Sequence, residues 1–196
     1  MLGRAAVAMW WDIAADIRAE WEQWHTVEHF PERLGIPGFL RGTRWIAPSG
    51  GSYFVLYETE DVTTLTSPAY LERLNNPTPW SRRMMPHHRN MVRSLCRVHA
   101  SSGAGQPGIM ATVRFSPTGG ALPELPAGRG ITGAHLLESQ PMPGAVTEEQ
   151  KIRGRDATAD WALLIGGYDA EAVSAAAARS NGTVGLYRLS YSLARA

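Results

Sequence analysis

The sequence predicts an α+β fold in which two successive β-α-β-β-α-β units complete one α/β barrel. Three observations support this prediction. A small, polar, Gly-rich stretch at 101–107 separates two halves of similar length, 1–100 and 108–196. Strand-like and helix-like patterns follow the same order in both halves. Six of the seven tryptophans lie in the first half, which indicates that this half contains a pocket or a large interface.

The first half contains a strand, a helix, two strands joined by a turn, two helical pieces and a closing strand. Helical spacing marks the first helix, and β-forming residues mark the strands. Ser67 and Pro68 are typical of a helix start, as N-cap and first helical residue. The predicted bounds are Gly3–Trp11, Ala14–His29, Phe39–Ala47, Tyr53–Thr59, Ala69–Leu74, Trp80–His88 and Val92–Val98.

The second half repeats this order in a reduced form. Leu122–Gly130 stands where the first helix should be, but its two prolines and two glycines allow a turn at most. Pro141–Asp160 is predicted to be a long loop. The predicted strands are Ile109–Ser116, Ile131–Ser139, Trp161–Gly167 and Thr183–Ser192, and the predicted helix is Ala170–Arg179.

This order of elements defines the ferredoxin-like unit. Each unit leaves one sheet face open, and packing two sheets against each other covers both faces. The expected fold is therefore two fused ferredoxin-like βαββαβ repeats that form a pseudo-dimeric α/β barrel. Two ferredoxin-like domains lying side by side are the alternative.

Bulk composition excludes several classes of protein. The formal net charge is +1, from 19 basic and 18 acidic residues, so neither nucleic acid nor a membrane surface is an expected partner. One cysteine, Cys96, cannot form an internal disulfide. No signal peptide and no apolar run of membrane-spanning length are apparent. The expected location is the cytoplasm.

The first helix presents a carboxylate on an apolar stripe. At 3.6 residues per turn, Glu28 falls on the same face as Trp21 and Trp24, with His25 beside this stripe and His29 one step further. One interpretation is that the helix ends there and Glu28 pairs with Arg33, Arg44 or Arg83. The other is that Glu28 and a histidine line a cavity, where burial makes the carboxylate a usable acid or base.

The same residues match a metalloprotease pattern. His25-Thr26-Val27-Glu28-His29 reads H-x-x-E-H, in which two histidines four residues apart can share a zinc ion. Zinc needs a third protein ligand, and only Glu58 and Glu72 are available candidates. A zinc hydrolase is therefore a minor alternative.

A second cluster follows at Asn75–Asn90, which three prolines interrupt. Trp80 could stack on an aromatic ring, and Arg82 or Arg83 could hold a carboxylate or phenolate. His87 or His88 could move a proton, but two adjacent histidines cannot both face one pocket. The competing interpretation is a solvated basic connection with Trp80 as a core plug.

The segment WHTVEHFPER, at 24–33, and the following Ile-Pro-Gly-Phe at 36–39 resemble the dimeric α/β-barrel superfamily, and within it the EthD-like group. The resemblance covers about residues 1–100, and beyond that only element order supports it. It implies a pocket between sheet and helices, with proton chemistry at His25, Glu28 and His29. The second half has no matching histidine, so it is expected to serve as a structural lid and barrel partner.

Members of that superfamily include cofactor-free monooxygenases, polyketide cyclases, lactone isomerases and haem-binding enzymes. The resemblance therefore implies an enzyme that performs acid–base chemistry on an aromatic or polyketide-like molecule, as an isomerase, cyclase, lyase or cofactor-free oxygenase. The units usually dimerise, so a homodimer is possible here, although the internal repeat would already complete the barrel. The predicted catalytic residues are His25, Glu28, His29 and His87, and the predicted substrate-binding residues are Trp24, Tyr57, Trp80, Arg82 and Arg83.

Two other functions stay open. No cofactor is expected, but haem could bind with His25, His29, His87 or His88 as axial ligand. A non-catalytic ligand-binding or scaffold protein is the remaining possibility.

Overall fold

The computed structural model describes residues 1–117, 122–141, 146–154 and 156–195. Its strands are β1 (Ala5–Asp12), β2 (Phe39–Ile46), β3 (Ser52–Thr59), β4 (Arg89–Ser102), β5 (Ile109–Phe115), β6 (Ile131–Gln140), β7 (Trp161–Gly167) and β8 (Thr183–Ala194). All neighbouring strands pair antiparallel and close into one barrel in the order β1-β3-β2-β8-β5-β7-β6-β4.

The α-helices are short and lie outside the barrel wall. Within the described ranges they are α1 (Arg18–Trp24), α2 (Phe30–Leu34), α3 (Pro68–Asn75), α4 (Pro79–Met84), α5 (Glu148–Arg153) and α6 (Ala170–Ala177). As predicted, α3 begins at Pro68, and the Ser67 hydroxyl accepts a hydrogen bond from Tyr70 N. In the described part of the chain, no helix is both long enough and apolar enough to cross a membrane.

The predicted fold class, two ferredoxin-like repeats forming a pseudo-dimeric α/β barrel, is wrong. The structure is a closed eight-stranded antiparallel barrel with few helices. The two halves do not stack sheet on sheet; β2 pairs with β8 and β4 pairs with β6 at their edges. Edge-to-edge pairing satisfies every open strand edge with main-chain hydrogen bonds, which stacking of two sheets would leave unpaired.

Two helix predictions need correction as well. The predicted loop 141–160 contains α5, although 142–145 and 155 lie outside the described residues. Thr147 begins this helix with a capping box, in which its side chain and that of Gln150 exchange hydrogen bonds with backbone N–H groups. The predicted helix 14–29 starts later, at Arg18, and continues through a π-helical segment, His25–His29, into α2.

The barrel lumen is a packed core with large aromatic side chains. Phe54 lies at its centre, with ring centroids 5.1 Å from Trp10, 5.4 Å from Trp45 and 6.0 Å from Tyr187. All four side chains are buried. Offset aromatic stacks of this kind fill space efficiently. The packed lumen therefore leaves the outer face of the barrel as the place for a site.

In β1 and β3 most of the residues that face outward are apolar, as are most of those that face the lumen. The sequences of these two strands are therefore almost continuously hydrophobic. Residues that alternate with the lumen positions, such as Val7, Val55 and Tyr57, join a second core beneath the helices of the first half. Trp21, Trp24 and Phe30 cover this face from the helix side and are fully buried. The helices thus enclose a buried layer against the outer wall of the barrel.

A segment of the second half crosses over to complete this layer. Ala157 accepts a backbone hydrogen bond from Arg93 (2.8 Å) and donates one to Met91 (3.0 Å), so it lies along β4. The Ser94 hydroxyl donates to the carbonyl of Ala159 at 3.0 Å. Because the chain just before this anchor carries α5, that helix is held over the first half.

We expect Gly42→Ala to destabilise the protein by about 1–3 kcal/mol, because the added methyl overpacks the layer that positions the site. A Cβ at Gly42 would lie 2.5 Å from Phe30 Cε1 and 2.7 Å from Tyr57 Cε1, and both rings are buried. Urea denaturation measures the change. Gly105→Ala is the control, since a Cβ there meets no atom within 4 Å. Equal stability of the two variants would contradict this packing.

Candidate functional site

Three imidazoles and three indoles form a ring cluster in which His88 is partly buried and the others are buried: Trp11, Trp21, Trp24, His25, His29 and His88. The His25 ring stacks between Trp21, at 4.6 Å, and His29, at 5.3 Å. His25 and His29 are four residues apart and lie on the same side of the helix, and the segment that joins them is π-helical. Single π-turns of this kind are common at functional sites.

Arg44 fixes the protonation of His25. Its Nη1 lies 3.3 Å from His25 Nδ1. Arginine can only donate, so His25 Nδ1 accepts and the ring proton lies on Nε2. Burial, together with the positive charge of Arg44, lowers the pKa of His25 well below its ordinary value. His25 is therefore a neutral imidazole near pH 7.

The structure brings His88, and not the predicted His87, to the ring cluster. The indole N–H of Trp21 donates to His88 Nε2 at 3.3 Å, and His88 Nδ1 lies 2.9 Å from the carbonyl oxygen of Met85. Burial, followed by the charge of Arg153, lowers the pKa of His88 to about 3. His87 ends the 3-10 turn that follows α4 and is partly buried outside these ring contacts.

Glu28 binds neutral donors and none of the arginines that the sequence suggested. Its Oε1 accepts from Thr78 Oγ1 at 2.6 Å, Trp24 Nε1 at 3.1 Å and Ser81 Oγ at 3.4 Å. Thr78 is the N-cap of α4. The carboxylate therefore joins the π-helical segment to the start of α4.

Of the predicted binding residues of the second cluster, Arg82 and Arg83 are exposed, and Trp80 is partly buried against the core beneath the helices, as the competing interpretation expected. Trp80 and Arg83 both reach Glu20 Oε1, at 3.3 and 3.4 Å, and Arg82 is exposed. The structure does not bring these side chains to His25 or His29. Surface ion pairs of this kind contribute little stability.

A small interior cavity of about 30 Å³ lies between the barrel wall and the helices. This volume is close to the share of one water molecule in the liquid. Of the predicted site residues, His29 and Tyr57 line the cavity. Its complete lining is Val7, Met9, His29, Arg33, Phe39, Tyr57, Tyr70, Leu74, Arg93, Glu149 and Arg153.

Three buried polar atoms in this lining lack a hydrogen-bond partner: His29 Nδ1, the Tyr57 hydroxyl and Arg153 Nε. The nearest carboxylate oxygen to His29 Nδ1, from Glu32, is 4.0 Å away, beyond hydrogen-bond range. Burial and the charge of Arg33 lower the pKa of His29 well below its ordinary value. Burial raises the pKa of Tyr57. Both groups are therefore neutral near pH 7.

Buried ion pairs form the polar side of the cavity. Arg33 donates to Glu149 Oε1 in a short hydrogen bond, and Glu149 Oε2 accepts from Arg153 at 3.3 Å. Arg153 also donates to Asp156 at 3.0 Å. Burial is the largest single effect and lowers the pKa of Arg33, but Glu149 together with Tyr70 and Tyr57 outweighs it, so the pKa of Arg33 is raised. Arg33 thus stays positively charged.

Sequence reasoning did not find this ionic side of the cavity. Arg33 was considered only as a partner for Glu28, yet it lies one turn after His29, a spacing that places both on one helix face. Glu149 and Arg153 have the same spacing in α5. The capping-box pattern at 147–150 was the available signal for that helix.

The described residues do not fit zinc. Among them, no group of three His, Cys, Asp or Glu side chains could hold a metal ion. His88 uses both ring nitrogens in hydrogen bonds, and His25 Nδ1 is engaged by Arg44.

Comparison with solved structures shows similarity in fold. An anthrone oxidase-like protein has a TM-score of 0.63 and 10% identity, covering 98% of this chain and 93% of that chain. A provisionally named monooxygenase from Fusobacterium nucleatum subsp. nucleatum has a TM-score of 0.54 and 8% identity, covering 100% and 96%. Another from Lactobacillus acidophilus has a TM-score of 0.50 and 7% identity, covering 98% and 97%.

These similarities extend over nearly the whole of this chain, and membership of the dimeric α/β-barrel superfamily stays a prediction. No family model matches the chain, and no curated protein matches its sequence. At 10% identity or less, the similarity shows the fold alone. Membership of the EthD-like group stays a prediction.

We expect stability to fall as pH falls from 7.5 to 5.5. His25, His29, His88 and His135 have pKa values below the ordinary 6.5 when folded, so the unfolded chain binds more protons in acid. Their contribution is fully present above pH 6.5 and is lost as pH drops below it, by roughly 1 kcal/mol for each histidine at pH 5.5.

Urea denaturation at the two pH values measures this loss. His88→Gln should remove about a quarter of it, since it removes one of the four groups. His87→Gln, which removes the neighbouring histidine outside the ring cluster, is the matched control. A free energy of unfolding that does not change between the two pH values would show that these imidazoles are not held neutral.

Proposed function

We propose that this chain is a small-molecule enzyme whose acid–base chemistry takes place at the interior cavity, with His29 as the base. One observation carries the proposal: His29 Nδ1 and the Tyr57 hydroxyl are buried without partners and line the same cavity as charged Arg33. Leaving a buried polar atom unpaired costs about 1–3 kcal/mol. Such a cost is explained if a substrate supplies the missing partners.

Charge balance favours formation of an anion in the site. A neutral His29 can accept a proton, but the resulting imidazolium would lie near the positive charges of Arg33 and Arg153. A negative oxygen formed on the substrate at the same time would compensate this charge. Arg33 would stabilise that oxygen electrostatically, and the Tyr57 hydroxyl would donate a hydrogen bond to it.

The substrate class that suits this arrangement is a ketone with an acidic C–H bond, which becomes an enolate when His29 removes the proton. Isomerases, cyclases, lyases and cofactor-free oxygenases can all proceed from an enolate. The names of the structural neighbours favour the oxygenase branch. There the enolate reduces O2, so that a CH2 group becomes C=O, one oxygen atom enters the product and the other leaves as water.

Glu28 takes a positioning role in this proposal. Its carboxylate is occupied by Thr78, Trp24 and Ser81. A glutamine side chain at this position would keep an acceptor oxygen for these donors, so Glu28→Gln is expected to retain turnover. Of the two candidate bases that the sequence offers, Glu28 and His29, the proposal therefore assigns the role to His29.

We predict that His29→Gln lowers kcat by about a hundredfold or more, the usual contribution of a general base. Tyr57→Phe removes one hydrogen bond to the enolate oxygen and should cost about tenfold or more. Oxygen consumption and product absorbance with anthrone, followed by a panel of small aromatic ketones, measure both effects. His87→Gln, outside the cavity lining, is the matched control.

Circular dichroism and thermal denaturation establish that each variant is folded before its rate is interpreted. Full turnover by folded His29→Gln would contradict the assignment of His29. Loss of turnover in folded Glu28→Gln would return the role of base to Glu28.

A further inference from the structure

The carboxylate that neutralises Arg33 comes from the other half of the chain. Glu149 lies on α5, between β6 and β7, whereas Arg33 lies on α2, between β1 and β2. Both side chains are buried, with 4% and 5% of their side-chain surfaces exposed. The α5 backbone is also tied to the first half by Glu148 N, which donates to Asn75 Oδ1 at 3.2 Å. A short helix thus inserts one carboxylate into the cavity lining.

Glu149 pairs with the positive charge of Arg33, and the proposed chemistry needs that charge. Arg33 is the cation available to stabilise an anionic oxygen, and Glu149 already occupies it in a direct ion pair. The cavity that remains is about 30 Å³, far smaller than the roughly 150 Å³ of a cavity that takes benzene. In this state a substrate cannot reach Arg33.

The two partners of this pair differ in how they are held. Arg33 lies on α2, which packs against β2 and β8 of the barrel wall. Glu149 lies on a six-residue helix that contacts α3 and the turn after α4. Displacement of α5 would therefore remove Glu149 and leave Arg33 in place.

Building on the proposed function, we propose that Glu149 occupies the position of the substrate's anionic oxygen, and that the site takes an organic anion, an enolate or carboxylate, when α5 withdraws Glu149 from Arg33. The carboxylate is an internal competitor for the substrate. Because of this competition, the apparent affinity for the substrate is the affinity of the open site multiplied by the fraction of molecules in which Arg33 is free. It also keeps Arg33 paired while no substrate is bound, which avoids an uncompensated buried charge.

Glu149→Gln tests this inference, with benzoate as the probe anion and benzamide as its neutral counterpart. Removing the internal carboxylate should tighten benzoate binding by about tenfold or more, measured by isothermal titration calorimetry. Benzamide affinity should not change. The variant should also have a lower Tm than wild type, and benzoate should restore it, because the anion again compensates Arg33.

Glu148→Gln is the matched control, since Glu148 precedes Glu149 on the same helix but pairs with Lys151 at the surface. It should bind benzoate as wild type does. Equal tightening in both variants, or tightening for benzamide as well, would overturn the inference, because the effect would then not depend on a free Arg33.

A second comparison covers the case in which Glu149→Gln does not fold. Replacing both partners, as Arg33→Met with Glu149→Leu, removes a buried ion pair without leaving a lone charge, which proteins often tolerate. Wild type should bind benzoate more tightly than benzamide. The variant in which both residues are replaced should bind the two compounds equally. No preference in wild type would overturn the inference.

Benzoate binding is read without turnover, so the two proposals can fail separately. Turnover that survives His29→Gln, with benzoate binding still controlled by Glu149, contradicts the proposed function and supports this inference. Turnover that needs His29, with benzoate binding indifferent to Glu149, contradicts this inference alone.

Discussion

The ion pair between Arg33 and Glu149 is the contact on which the site depends. It joins α2 of the first half to α5 of the second half across the outer wall of the barrel. Without Glu149, Arg33 would be a buried charge lacking its carboxylate, and such a charge is costly. Because α5 is brought over the first half by the crossing of Ala157 along β4, barrel closure and site formation are linked. This link gives the second half a role in the site although it supplies no histidine to the ring cluster.

Local patterns predicted the strands well, and the sequence failed where distant pairing decides the fold. Runs such as Tyr53–Thr59 indicate a strand because both faces of β3 are buried, one in the lumen and one beneath the helices. The pairing of β2 with β8 joins residues about 150 positions apart, such as Gly42 and Leu193, and no local periodicity reports it. The stacked-sheet expectation therefore gave way to a single closed barrel.

The candidate site was predictable to the extent that it lies on one helix. The apolar stripe through Trp21 and Trp24 located the buried face, and His25 and His29 do lie in it. Glu28 on the same stripe is explained by neutral donors from α4, which only the folded chain brings near. Glu149 could not be assigned, because its partner Arg33 is 116 residues away and its helix had been interpreted as a loop. His88 joins the ring cluster and the adjacent His87 does not. The sequence pattern alone does not predict which of two adjacent histidines faces the interior.

The proposed chemistry requires a neutral His29 whose Nδ1 has no hydrogen-bond partner in the free protein. Imidazole ¹⁵N chemical shifts of histidine-labelled protein, assigned with His29→Gln and recorded from pH 5 to 8 with and without benzoate, test it directly. The account predicts a neutral His29 ring at pH 7, with a pKa below 6.5 and a shift of its ring nitrogens when benzoate enters the cavity. A His29 that is protonated at pH 7 in the free protein would contradict it, because a cationic ring there could not serve as the base.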